Sequence, residues 1–501
     1  MQSRSLAIEH DAWIEVDESA SAHTRLVAEA LRELAERSGI RWIDRNAGQH
    51  GATQTGLLLN LFSHGESLPG PASGIEFLVE EGLWLYRLGS PVCGWGSVEA
   101  GVERGRLLIV RTRGADGETE LLAEAEIRTS MTRPWRNAGE FGAAAAVLIH
   151  EGCLARRGRP IVLSPLRAPR LRLRDRARWL FRSFLPSVVD SLAWKLGLAP
   201  RLQWSIGVMP GQLDPASGWS FPWERVRWID PPDNGIIADP FVIKHNGAHW
   251  LFYEHMLFDE GKGTIHAGQL DPETGTLRGA REVLATPHHL SFPNVFQADG
   301  HWYMLPEQAQ SGSVKLYRAD AFPWQWTEYR ELLAGFPGID PVLLRHDDKW
   351  WLFVTRDGGP CVDNNLHLYW SDSLDGEFVA HPLNPIRTGL FGSRMAGAIL
   401  RDGDALLRPA QDGRAGYGAG LALYRIEELT TTSYRESELC AWRPSRSGPF
   451  RHGFHALHAC EDAVVVDAQR MRPVPPRERL RRRRTGVLMT AVVAWALTEA
   501  F

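Results

Sequence analysis

At 501 residues the chain is longer than one hydrophobic core ordinarily organises, so two or three domains are expected. A formal net charge of -4 with 23% charged residues argues against bulk electrostatic capture of nucleic acid. The five cysteines, Cys93, Cys153, Cys361, Cys440 and Cys460, are odd in number and lack metal-ligand spacing, which reads as free thiols in a reducing compartment.

The N-terminus runs into an acidic, polar stretch with no apolar h-region, so no signal peptide is expected and a cytoplasmic location is the default. Leu26, Val27, Ala30, Leu31 and Leu34 fall at helical spacing and predict an amphipathic helix over 22–38. The run 56–61 reads as a short buried strand, and 82–89 and 105–110 as two more; 143–154 reads as a closing helix. Residues 1–160 therefore read as a small α/β domain without a recognisable catalytic motif. A basic linker, 161–202, follows. Seven arginines between Arg167 and Arg182 alternate with Leu171, Leu173, Trp179, Leu180 and Phe181, a pattern suited either to a solvated helical linker or to an anionic membrane or acidic partner.

From 203 to 472 a pattern returns about every fifty residues, the period of radially repeated four-stranded blades. Ala238-Asp239-Pro240-Phe241-Val242, a turn at Asn246-Gly247 and Trp250-Leu251-Phe252-Tyr253-Glu254 make the first copy. Later copies turn at Asp299-Gly300, Asp347-Asp348, Asp402-Gly403 and Glu461-Asp462. Asn-Gly and Asp-Gly are strong hairpin signals, so each copy contains a hairpin and the whole predicts a mainly β chain, a five-bladed β-propeller preceded by the small α/β domain. The tail, 473–501, joins Arg481–Arg484 to an apolar run, 487–497, that falls well short of the ~20 residues a spanning helix needs; it would dock on the protein or lie on a membrane surface.

Inner strands of a propeller converge, which brings Asp239, Pro293 with Asn294, Asp340, Ala396 and His455 near the axis. The next strands end at Glu254, Glu307, Thr355, Gln411 and either Asp467 or Gln469. Asp239, Glu307 and Asp340 thus form a candidate carboxylate core, with Arg394, Arg408 and His455 as cationic contacts for an anionic sugar substituent or sugar nucleotide. The alternative for the arginines is an internal salt bridge, Arg408 with Asp412 or Arg394 with Glu307. Trp350 is one of many repeat tryptophans that either fill the blade core or offer a stacking face to a sugar ring. Paired His/Cys clusters at ligand spacing, a phosphate-binding glycine loop and a nucleophile elbow are not found, so neither metal nor cofactor is expected.

Asp239-Pro240, Asp340-Pro341 and the repeat architecture resemble the propellers of glycoside hydrolase family 43. Trp204-Ser205-Ile206-Gly207, Leu305-Pro306-Glu307, His381-Pro382-Leu383-Asn384-Pro385 and Arg408-Pro409-Ala410-Gln411-Asp412 make the stretch still more similar to the N-terminal propeller domain of plant glucosamine inositolphosphorylceramide transferases. The first resemblance implies Asp239 as general base and Asp340 as the carboxylate that tunes the acid; Asp412 joins the substrate-binding candidates. The family's acid is a Glu on the inner strand of the fourth blade, where this chain reads Ser393-Arg394-Met395-Ala396-Gly397-Ala398, so Glu307 would have to substitute. The order of the first domain resembles a degenerate formyltransferase, yet Asn60-Leu61-Phe62-Ser63-His64-Gly65 lacks that family's catalytic arrangement. The resemblances imply a carbohydrate-active protein that binds, and cleaves or transfers, a glycan or glycoconjugate. The rivals are a non-catalytic sugar-binding module and, more remotely, a formyl or acyl transferase relative.

Overall fold

The computed structural model describes residues 74–473, apart from 89, 91, 102, 114–117, 151–157, 168–169, 171, 196–197, 199, 214–220 and 358–364, together with three short strands before them. The helix expected over 22–38 and the tail 474–501 lie outside the described residues.

The N-terminal unit is built on a mixed sheet. Ala12–Glu15, Trp42–Arg45, Leu57–Asn60 and Gly74–Glu81 run parallel, after which Arg104–Arg113 and Glu118–Arg128 pair antiparallel. Where one strand was expected over 82–89, Gly82 and Leu83 form a turn and Trp84–Arg87 folds back on Gly74–Glu81, because Gly82 supplies the positive φ of 61° that the reversal needs. The closing helix starts earlier than expected, at Pro134, and is described to His150; proline's missing N–H costs nothing at a first helical position. Its Phe141, Ala145 and Leu148 cover Phe77, Leu107 and Ile109 of the sheet. Glu81 is fully buried beneath the helix Gly96–Ala100 and accepts hydrogen bonds from the N–H groups of Gly94, Gly96 and Ser97.

Leu173–Trp179, a π-helical turn Leu180–Phe184 and Leu185–Lys195 form a continuous helical connector.

Among the described residues the remainder folds into five antiparallel sheets, each of four or five strands, as a β-propeller. The first is Gly235–His245, Ala248–Leu257, Gly263–Asp271 and Thr276–Leu284; the second is Ser291–Ala298, His301–Glu307, Val314–Ala321 and Gln325–Leu333. The third is led by Gly338–His346 and Lys349–Arg356, the fourth by Phe391–Met395 and Ala405–Asp412. The turns are what the sequence asked for: Asn246-Gly247, Asp299-Gly300 and Asp347-Asp348 place both central residues at positive φ, the geometry that matches strand twist. Phe241, Phe252, Phe292, Trp351 and Phe353 fill the space between sheets; fully burying each ring contributes about 1.5–3 kcal/mol.

The fifth sheet joins the two ends of the segment. Arg201–Pro210 pairs along its whole length with Ala463–Arg472, which also holds Leu457–Cys460. At the seam with the fourth sheet, Leu457 N–H bonds to Ala396 O, and a Cβ on Gly397 would stand 1.8 Å from Leu457 O, so only glycine fits. The N-terminal sheet touches the fourth sheet through Arg128, whose guanidinium donates to Gly413 O, and Glu126, which accepts Leu390 N–H.

Candidate functional site

The inner strands of the first three sheets share one local device. Asp239, Phe292 and Asp340, each followed by proline, sit at φ of 50°, 46° and 47° in a bulge where the pairing register shifts. The position equivalent to the two aspartates in the second sheet is therefore Phe292, not Pro293 with Asn294 as the repeat alignment suggested. Aspartate tolerates this left-handed backbone; a phenylalanine there is strained, and its ring is held by complete burial. The bulge turns the Asp239 and Asp340 side chains out of the alternation of their strands and toward the ends of neighbouring sheets.

There they meet carboxylates of the second strands. Asp467 Oδ2 accepts Asp239 N–H at 3.1 Å, and Glu307 Oε2 accepts Asp340 N–H at 3.2 Å. Asp467 Oδ1 also accepts the N–H groups of His455 and Ala456. The His455 ring lies between two carboxylates, its Nδ1 2.7 Å from Asp467 and its Nε2 3.4 Å from Asp239. Across the cluster Arg394 donates to Asp340 and lies 3.7 Å from Glu307, while Gln411 Nε2 donates to Asp340 at 2.9 Å. Trp204 stacks against His455 with centroids 4.1 Å apart, and Tyr417 meets the same imidazole edge-on at 5.1 Å. The Trp204 ring fits because a Cβ on Gly453 would come within 2.7 Å of it. Asp239, Asp340, Asp467, Glu254 and His455 are buried; Tyr417, 46% exposed, marks where the cluster meets solvent.

Burial pushes the Asp239 carboxyl up to about 7, with Asp340 and Asp467 adding repulsion that His455 and Arg394 partly offset. Burial also lifts Glu254 and Glu307 well above the usual carboxylate range, reinforced for Glu254 first by Asp239 and for Glu307 first by Asp340. For His455 burial disfavours the imidazolium, but Asp467 and Asp239 outweigh it and raise its pKa. Burial thus favours the protonated carboxyls of Asp239, Glu254 and Glu307, while Asp467 and Asp239 favour the charged form of the His455 imidazole.

Of the residues singled out from the sequence, Asp239, Glu307, Asp340, Arg394 and His455 are brought together. Three others lie elsewhere. Arg408 is fully buried within the fourth sheet, its Nε and Nη2 bound to Glu436 at 2.7 Å each; it is an internal ion pair, with a different partner from the Asp412 considered above. Asp412 is taken up by Arg414 and Arg443 at 3.0 and 2.7 Å. Trp350 pairs in register with Arg345, five residues along the strand from Asp340, and packs on Phe296 inside the apolar cluster of the second and third sheets. Glu254 and Asp467 were missing from the candidate core although both occupy second-strand positions of the repeat.

Asp239, His455 and Asp467 each present one ligand atom, all within 4.8 Å of one another, and could hold a metal ion. A second such group, His249, Cys460 and Asp462, lies at the opposite hairpin ends, where the Lys244 ammonium already sits 2.8 Å from Asp462. An open hollow of about 460 Å³ between Arg330, Phe336, Arg356 and Tyr369 shares no lining residue with the carboxylate cluster.

Fold and site together define a β-propeller whose inner strand ends carry an acidic, arginine-bearing cluster. Residues 229–448 match the family described as glucosamine inositolphosphorylceramide transferase 1, N-terminal, which bears out the resemblance drawn from the sequence over that segment. The chain is 34% identical over 232 residues to glucosamine inositolphosphorylceramide transferase 1 of Oryza sativa subsp. japonica, covering 44% of this chain and 31% of the relative. It is 33% identical over 213 residues to the protein of that name from Arabidopsis thaliana, covering 42% of this chain and 28% of the relative. It thus spans about a third of the length of these curated relatives. Among solved structures it is similar to the catalytic domain of a Coprinopsis cinerea GH62 α-L-arabinofuranosidase, with 13% identity, TM-score 0.36, and 52% and 97% of the two chains covered. It is also similar to a Cellvibrio cellulosa α-L-arabinanase, with 16% identity, TM-score 0.30, and 40% and 77% covered.

Proposed function

We propose that the propeller binds a glycan or glycoconjugate at the cluster of Asp239, Glu307 and Asp340, and that the chain serves glycolipid or polysaccharide biosynthesis. The observation that carries this reading is the convergence of five acidic side chains, from Asp239 to Asp467, with Arg394 and His455 at one end of the propeller. Carboxyl groups are the natural partners of sugar hydroxyls, and arginine recognises a phosphate or carboxylate substituent. The relatives' name, glucosamine inositolphosphorylceramide transferase, supports a sugar-bearing anionic lipid as ligand class.

A catalytic version of the reading is favoured by Asp239. A carboxyl poised at about 7 can give or take a proton at neutral pH, as general acid–base chemistry at a glycosidic oxygen requires. Asp239 would serve as base, activating water or an acceptor hydroxyl, and Glu307, whose carboxyl burial and Asp340 push well above the usual range, would protonate the leaving oxygen.

Calorimetry and turnover assays of the full chain with sugar nucleotides, aryl glycosides and acidic oligosaccharides, beside Asp239→Asn and Asp340→Asn, test both versions. Turnover abolished by Asp239→Asn establishes an enzyme; saturable binding without turnover establishes a recognition module. If both variants retain the parent's binding and turnover, the site is elsewhere.

A further inference from the structure

We propose that the helical connector Leu173–Lys195 is a docking face for an anionic membrane surface. Large apolar side chains exposed singly are ordinary, but here they are concentrated. Of thirteen exposed large hydrophobics among the described residues, eight fall between Val162 and Leu202. On the connector itself Leu173 is 85% exposed, Phe181 68% and Val189 62%, with Leu185 also open to solvent.

Phe181, Leu185 and Val189 are spaced by four and so form one ridge of the helix. Arg174, Arg178 and Arg182, also spaced by four and all exposed, form the adjacent ridge. The opposite face is tied down. Trp179 is buried, its indole N–H donates to Met131 O at 2.9 Å, and its ring packs on Trp95 and Phe184. The exposed ridges therefore have a fixed orientation against the N-terminal unit. Asp175 caps the helix by accepting Arg172 N–H and lies 3.7 and 3.9 Å from Arg174 and Arg178, so it offsets one of the three ridge charges and leaves the ridge net cationic.

An apolar ridge flanked by arginines matches the boundary between headgroups and acyl chains, where side chains such as Phe181 enter the hydrocarbon edge and guanidinium groups bind lipid phosphates. The core of a protein–protein interface, by contrast, is depleted in charge, which this surface is not. No helix of the described residues is long and apolar enough to cross a membrane, so the connector would lie on the surface.

The test is co-sedimentation of the full chain with vesicles of phosphatidylcholine containing phosphatidylglycerol, against phosphatidylcholine alone. One variant carries Phe181→Asp and Val189→Asp, a second Arg174→Glu, Arg178→Glu and Arg182→Glu. Binding is expected only to the anionic vesicles, reduced at least roughly hundredfold by the triple arginine change at about fivefold per basic residue, and lost in the apolar variant. All substituted side chains are exposed, so near-UV circular dichroism should not change. Absence of parental binding, equal binding to neutral vesicles, or undiminished binding by either variant overturns the proposal; the last would mean that another surface of the chain is responsible.

Discussion

Asp467 holds the backbone of Asp239, accepting its N–H from the adjoining sheet at 3.1 Å. Glu307 does the same for Asp340 at 3.2 Å, so in two places a second-strand carboxylate fixes the bulged aspartate of the next sheet. Each aspartate is thereby locked at positive φ and cannot swing toward water to relieve the crowding of like charge.

That crowding has a pH signature. In the unfolded chain Asp239 regains an ordinary carboxylate pKa near ~4, whereas the native value is about 7. The native state binds this proton more tightly, so the associated stability is present below about pH 4 and is lost as pH rises through about 7. His455, also raised, works in the same direction. Thermal melting should show a midpoint that falls between about pH 5 and pH 8, and Asp239→Asn should flatten the profile and exceed the parent at the alkaline end. A parent profile level across that window would contradict the arrangement.

Arg394 and Asp340 should be energetically coupled. Removing the guanidinium by Arg394→Met leaves Asp340 buried without its principal cation and should cost about 3–5 kcal/mol in denaturant unfolding. Adding Asp340→Asn should restore about 1–3 kcal/mol, a coupling measurable by a double-mutant cycle.

Arg408 should matter to folding alone. Arg408→Ala leaves the nearly buried Glu436 with only Arg387 and Tyr434 as partners and should cost about 3–5 kcal/mol, while Arg408→Met with Glu436→Leu should recover part of it. Any glycan affinity measured for the parent should survive in the double variant, because the pair makes no contact with Asp239, Glu307 or Asp340.

At the seam between the fourth and closing sheets, Gly397→Ala should lower stability by about 2–4 kcal/mol, read from the shift in denaturant midpoint. Gly403→Ala serves as the comparison: it too has positive φ, but its Cβ would meet open space.

The hairpins and the recurrence of Asp-Pro were legible in the sequence, whereas the bulges at those prolines were not: Asn246-Gly247 and Asp299-Gly300 favour one turn geometry, and the period carried Asp239 and Asp340 to equivalent places. For Arg408 the internal ion pair was one of two readings, but its partner, Glu436, was not legible because it lies two strands outward on the same sheet, a pairing that repeat alignment does not address. For Trp350 the structure selects the core-filling alternative, a choice fixed by packing between sheets and not by composition. Phe292 hid the second bulge, since a bulky apolar residue gives no hint of a left-handed backbone.

The pairing of Arg201–Pro210 with Ala463–Arg472 has a consequence for how the molecule is made. These strands are contributed from opposite ends of the propeller segment, so their contacts have the greatest sequence separation in it and carry a large loop-closure entropy. During synthesis the first of them must wait as an open edge while the other four sheets emerge, a template for pairing with the wrong chain until its partner arrives. Ring closure is then the last and slowest step, and a nascent chain halted before Ala463 is the species a chaperone would have to guard.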